Sequence, residues 1–272
     1  AAAEYLLVGG LTSWIDQSDF EAISVYNPRA NIGSPLLPGN KNRMLYSAQS
    51  LPLRNANLAL HIGRWFSVLL GAITLWAVYR SALLLFVGRN HLALAALLLL
   101  ATIPQFAFIS ASFSNDALVT ALCSLTIYWL AYLLVQAEGQ RPSPPWHWLL
   151  LGVLLGLAAL SKLQGLGLFP LAGLAMIYSA WRSGDGGSGD RRGGDGRSFD
   201  WRNFVLRSLW VALPVLLIAG WWYWRNFTLY NDWLGTGNLK AINGERATPL
   251  TLAAFWNEFR GVRYSLWGLF GW

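Results

Sequence analysis

The sequence predicts an all-α protein, a polytopic transmembrane helix bundle with long extracytoplasmic loops, and three observations predict it. Hydrophobic residues make up 55% of the 272 and charged residues only 12%, about half the charged share of a soluble domain. Mean hydropathy is +0.39. Apolar runs that suit crossing about 30 Å of hydrocarbon recur along the chain. The same composition excludes intrinsic disorder, because so much apolar surface demands burial. A single cysteine, Cys123, set in an apolar run, excludes a disulfide scaffold. The net charge of +7 does not indicate nucleic acid. The basic residues are thinly spread, and a positive excess is what loops facing anionic headgroups carry.

Residues 1–60 contain NPRANIGSPLLPGNKNR, rich in turn residues, and are expected as an extracytoplasmic segment rather than a span. The chain opens AAAEYLLVGG without an initiator methionine or a charged leader, and ends at GLFGW as a further apolar segment begins. It is therefore expected to be an internal portion of a longer protein. Residues 61–181 hold about five spans. The first, 62–87, keeps Arg64 and Arg80 near its ends, where long side chains can snorkel. Gly88-Arg89-Asn90 then forces an antiparallel hairpin into 91–110, and 117–135 is the third span, followed by a polar, proline-rich turn. As one helix, residues 145–181 would run about 55 Å, nearly twice the hydrocarbon thickness. Two short spans, 145–161 and 165–181, broken at Ser161-Lys162-Leu163-Gln164-Gly165, fit better, with Pro145 opening the first and Gly165 allowing the reversal.

Residues 182–202 include SGDGGSGDRRGGDGR, expected as a flexible cytoplasmic loop. It lacks the lysine-hydroxyl pair and preceding strand of a phosphate-binding loop. A further span, 203–224, ends in the aromatic cluster WWYW, and 225–272 returns to the outer side. Alternating sides places nine basic residues on the face that carries the loops near 89, 136–145 and 182–202, and eleven on the other face. That face consists mainly of two long segments, which the positive-inside rule does not count, so the first set of loops is read as cytoplasmic.

Ionisable groups at span ends are the informative ones, because each is costly near lipid. Asn115 and Asp116 head the third span. Capping of free helix amides explains either one, and a metal or phosphate role better explains the pair. Lys162 is either an interfacial anchor or a cation for a lipid phosphate. Arg225 suits bidentate phosphate contact or, beside tryptophans, simple anchoring, and Asp232 follows it closely. His61, His91 and His147 are scattered over both faces, which disfavours a histidine metal site. No GxSxG, HExxH or cysteine pair occurs, and no span carries a charge at its centre, which disfavours a pump or channel.

Four segments in order, PQFAFISASFSNDAL, GVLLGLAALSKLQGLGLFP, WWYWRNFTLYNDWLG and SLWGLFGW, resemble an uncharacterised family of bacterial multi-span proteins. That family is grouped with the GT-C glycosyltransferases, which include protein O-mannosyltransferases and aminoarabinose transferases. The resemblance implies a GT-C-like bundle in a bacterial inner membrane that transfers a sugar from a polyprenyl-phosphate donor at the extracytoplasmic face. It further implies that Asp116 helps bind a divalent cation such as Mg or Mn or organises the acceptor, and that Lys162 faces the donor phosphate. Together with the residues at span ends this gives an expected site with Asp116 catalytic and Asn115, Lys162, Arg225 and Asp232 contacting substrate or phosphate. The superfamily's acidic residue of the first outer loop has no match here, and the role does not pass to Asp16, Asp19 or Glu21. Two alternatives remain: a non-catalytic membrane subunit that keeps the fold, and a transporter, disfavoured because no repeats or broken midplane helices are evident.

Overall fold

The computed structural model describes residues 3–28, 30, 44–46, 51–141, 143–184, 199–237, 249 and 251–268. They form an almost wholly helical bundle: α1 (Ala3–Thr12), α2 (Phe20–Ile23), α3 (Asn55–Leu85), α4 (Asn90–Ala101), α5 (Pro104–Ala111), α6 (Asn115–Glu138), α7 (Pro145–Ser161), α8 (Leu168–Gly184), α9 (Trp201–Val215), α10 (Trp221–Tyr230) and α11 (Leu252–Trp267). A short antiparallel pair, β1 (Ser24–Tyr26) with β2 (Met44–Tyr46), lies between α2 and α3. Four stretches are long and apolar enough to cross a membrane: Asn55–Leu85, Asn115–Glu138, Leu163–Ser183 and Trp201–Tyr230. The all-α polytopic bundle expected from composition is the observed architecture, and the chain is an integral membrane protein.

Small residues set how closely these helices approach. On α3 the buried stripe is Ala56, Ala59, Gly63, Ser67, Leu70, Gly71, Thr74 and Ala77. Water expulsion does not drive association inside a bilayer, so close backbone approach over such stripes supplies the van der Waals energy instead. Helix α7 is the most enclosed and lies against both α6 and α9. A Cβ on Gly152 would stand 2.3 Å from the Val211 carbonyl oxygen of α9, and one on Gly156 3.1 Å from Ile218 Cβ. Trp148, Leu151, Leu155 and Ala158 complete its buried face. Tyr223 donates to the Ala159 carbonyl at 2.8 Å, and Trp129 to the His147 carbonyl at 2.8 Å, tying α7 to α10 and α6.

The break expected within 145–181 is present. Helix α7 ends at Ser161, and one turn of 3-10 helix (Leu163–Gly167) leads into α8. Gly165 serves here by its small size: an added Cβ would lie 2.3 Å from the Ala158 carbonyl oxygen. Other boundaries differ from expectation. The first span starts at Asn55, where Asp19 accepts from the Ala56 amide at 3.0 Å. Residues 91–110 do not form one helix, because α4 and α5 are bent by 67°. Pro104 supplies no N–H to continue the α4 ladder, and Ile103 before it is held extended (φ −70°, ψ 115°). No charged residue sits at that break. The last span runs from Trp201 to Tyr230 through a π turn (Leu216–Gly220) just after Pro214, where the missing proline donor lets the ladder slip register. Residues 1–60 are more than a loop, since α1 lies on α3, α6 and α7. Of the 182–202 segment, residues 185–198 lie outside the described residues, as do 269–272 at the end.

Replacing Gly152 with alanine is expected to destabilise the bundle by about 1–3 kcal/mol through overpacking. Gly173→Ala, where nothing lies within 4 Å of the added atom, should leave stability unchanged or raised. Thermal unfolding of the two variants in one detergent checks the contrast.

Candidate functional site

Helix α6 begins with four backbone amides that its own turns cannot satisfy. Ser114 caps it: the serine Oγ accepts from the Asp116 amide at 3.2 Å, and the Ala117 amide reaches the Ser114 carbonyl at 3.0 Å. The capping function considered for Asn115 and Asp116 therefore belongs to Ser114. Asn115 and Asp116 occupy the first turn, both half-buried. The Ser114 hydroxyl also donates to Asp116 Oδ2 at 3.3 Å.

The other Asp116 oxygen, Oδ1, forms an ion pair with the Lys162 ammonium. Lys162 can reach it because it lies just beyond the end of α7 in extended backbone (φ −161°, ψ 150°), which swings its side chain across to α6. The two side chains are 40% and 27% exposed respectively. A pair this accessible contributes only about 0–1 kcal/mol to stability. Stability is a weak reason for a lysine and an aspartate to meet at this end of an apolar bundle.

Glu4 completes the cluster, and sequence reasoning missed it. Along α1 the buried residues are Glu4, Val8 and Thr12, one stripe facing the bundle. The Glu4 side chain has no exposed surface. Its Oε2 accepts from the Leu118 amide at 3.3 Å and its Oε1 from Ser67 Oγ at 3.3 Å. Burial raises its carboxyl above the ordinary glutamate range, the two hydrogen bonds oppose that, and the nearby Asp116 charge adds to the rise. The carboxylate thus satisfies the α6 amide that Ser114 does not reach, at the positive end of the helix dipole. The available signal was a lone acid in the apolar run AAAEYLLVGG.

The remaining expected residues lie elsewhere. Arg225 is exposed on α10 and stacks over the Trp222 ring at 5.5 Å, pairing with neither Asp116 nor Lys162. Asp232 is occupied by its own loop, accepting from the Gly237 amide at 2.8 Å, the Leu234 amide at 3.0 Å and Thr236 Oγ1 at 3.2 Å. Those bonds, the Gly237 amide foremost, hold its carboxyl below the ordinary aspartate range. Asp16 likewise accepts from Ser18, and Asp19 holds the start of α3.

A cavity of about 890 Å³ opens between α1, α3 and α5 at this same end. Tyr5, Gln17, Phe108, Ser112 and Phe113 line it, and Arg64 is the one charged side chain among its described lining residues. The segment carrying Asp116 is seated against α3 by glycine. A Cβ on Gly63 would lie 3.0 Å from the Phe113 ring, and one on Gly71 2.7 Å from Ser110 Oγ. Tyr5 meets Phe113 edge-to-face with centroids 5.3 Å apart, so α1 and the α5–α6 loop close on each other beside the ion pair. Among the described residues no group of three or more His, Cys, Asp or Glu could hold a metal ion, and the two carboxylates here bond to Lys162 and to Ser67 and Leu118.

Residues 58–184, which contain both Asp116 and Lys162, match the family model described as dolichyl-phosphate-mannose-protein mannosyltransferase. The chain resembles the GT-C glycosyltransferases. The match covers a little under half of it and points to a membrane glycosyltransferase of that type. No curated protein and no solved structure matches the chain.

Because the folded state favours the neutral form of Glu4, its stabilising contribution should be fully present below the ordinary glutamate pKa and fall as pH rises through the raised one. Glu4→Gln, neutral throughout, is expected to flatten that part of the pH dependence of thermal unfolding above the ordinary glutamate pKa. Glu4→Ala, which leaves the Leu118 amide buried without a partner, should cost about 1–3 kcal/mol at all pH values.

Proposed function

We propose that this chain is the catalytic part of a glycosyltransferase that moves a sugar from a polyprenyl-phosphate carrier to an acceptor hydroxyl at the extracytoplasmic side of a bacterial inner membrane. One observation carries the reading. The Asp116–Lys162 pair joins an acid and a cation from separate helix ends, at the same end of the bundle as a cavity large enough for a sugar and its acceptor. The family match over residues 58–184 supports the chemistry, and the loop-charge count supports the orientation.

The reaction is an inverting displacement. The acceptor hydroxyl loses its proton to the Asp116 carboxylate as its oxygen bonds to the anomeric carbon. The bond from that carbon to the phosphate oxygen breaks with its electron pair, and the carrier leaves as a phosphate monoester. Lys162, released from Asp116 as the acid takes the proton, offsets the charge that develops on the departing phosphate. Arg64, the cation lining the cavity, holds the same phosphate before and after transfer. Glu4, fully buried, meets no substrate and acts as a positioning residue, fixing the first turn of α6 on which Asp116 rides. No divalent cation is needed in this scheme.

The test is transfer of radiolabelled hexose from a short polyprenyl-phosphate donor, using the chain reconstituted in nanodiscs. Asp116→Asn and Lys162→Met are each expected to slow transfer by about 10²–10⁴-fold, while Asp232→Asn, in a loop turn, leaves it within about twofold. Transfer at the unmodified rate in both site variants would overturn the assignment. Absence of transfer from any such donor by the unmodified chain would favour a non-catalytic subunit.

A further inference from the structure

The opposite end of the bundle holds a second polar construction that the proposed transfer reaction does not use. A half-open cavity of about 510 Å³ lies between the α6–α7 turn, α8 and α9. Its lining includes Arg141, Arg182 and Arg207 together with Ser179, Ser183 and Asn203. Arg207 is held in a fixed pose: one guanidinium nitrogen donates to Ser179 Oγ at 2.9 Å, the other to Ser183 Oγ at 2.8 Å, and the group lies over the Trp148 ring at 5.1 Å. Its direct partners are hydroxyls and a ring, none of which carries charge.

The acids nearby are largely spent on other tasks. Glu138 pairs with Arg182 at 3.3 Å and accepts from the Tyr178 hydroxyl. Asp200 caps α9, with Asn203 donating to both of its oxygens, and it contributes only long-range attraction to Arg207. Arg141 pairs with no carboxylate among the described residues. Among the described residues, three guanidinium groups stand against two acids in this half-open site, where Arg182 already pairs with Glu138. An uncompensated cation near lipid is expensive. Arg207, half-buried with only hydroxyls and a ring as direct partners, carries that cost, and an anion beside it would remove it. Planar guanidinium donors set beside serine hydroxyls and an asparagine amide match the tetrahedral oxygens of a phosphate.

We infer that this pocket binds a phosphate group, from an anionic phospholipid of that leaflet or from a soluble phosphate. The occupant would bridge the α6–α7 turn through Arg141, α8 through Arg182 and its serines, and α9 through Arg207. Binding would therefore stiffen the three helices whose other ends carry Asp116 and Lys162 or flank them. The inference does not depend on the chemistry proposed for that far end, because its readout is ligand-linked stability.

The full chain is placed in nanodiscs of phosphatidylcholine alone or with added phosphatidylglycerol, and thermal unfolding is recorded with and without inorganic phosphate at matched ionic strength. A higher Tm with phosphatidylglycerol and no response to phosphate assigns a lipid headgroup. A response to phosphate in phosphatidylcholine alone assigns a soluble ligand. In either case Arg141→Gln, an exposed residue whose loss should not disturb folding, is expected to weaken the binding about tenfold. Arg207→Gln should abolish it. Arg89→Gln, at the same end but outside the pocket, serves as the control and should bind as the unmodified chain does. The inference is overturned by the absence of any anion-dependent rise in Tm. It is equally overturned if Arg89→Gln weakens the response as much as Arg141→Gln, which would mark general surface attraction.

Discussion

The Asp116–Lys162 ion pair ties the turn between α7 and α8 to the first turn of α6, and the surrounding structure is arranged so that these two groups can meet. Lys162 reaches across because α7 stops at Ser161 and the chain runs extended for one residue before the 3-10 turn. Asp116 is available because Ser114 performs the capping. The first turn of α6 keeps its place because Glu4 reaches in from α1 to the Leu118 amide. Each of these arrangements is local, and together they place an acid beside a cation at an interface where neither earns much stability.

The bundle below supplies rigidity without charge. Its helices approach over glycine, alanine and serine, most closely where Gly152 leaves no room for a side chain against α9. Such contact holds crossing points to fractions of an ångström, which a catalytic constellation needs and loops alone do not provide. The π turn after Pro214 and the kink before Pro104 are two irregularities among the described spans. The second directs α5 over the cavity beside the ion pair, where Phe108 and Ala111 form part of its wall.

The two ends are chemically unlike. At one, acid and base balance beside a cavity with a single lining cation, Arg64. At the other, among the described residues, three arginines and a set of hydroxyls line a second cavity. Among the described residues these two clusters lie at opposite ends, and α6, α7, α8 and α9 connect them.

By itself the sequence determined the class of the fold, the break at Lys162 and the positions of Asp116 and Lys162 as groups of interest, since apolar length and the cost of charge near lipid are properties of local sequence. Length required a cut in 145–181, and the polar group at 161–165 located it. Tertiary structure decided which polar groups meet. Arg225 and Asp232 look as suitable as Lys162 in the sequence, yet one stacks on Trp222 and the other is consumed by its own turn. Glu4 could not be found by spacing, because its partners lie at Ser67 and Leu118. Burial and long-range hydrogen bonding are set by how helices cross, and crossing depends on residues far apart in the chain.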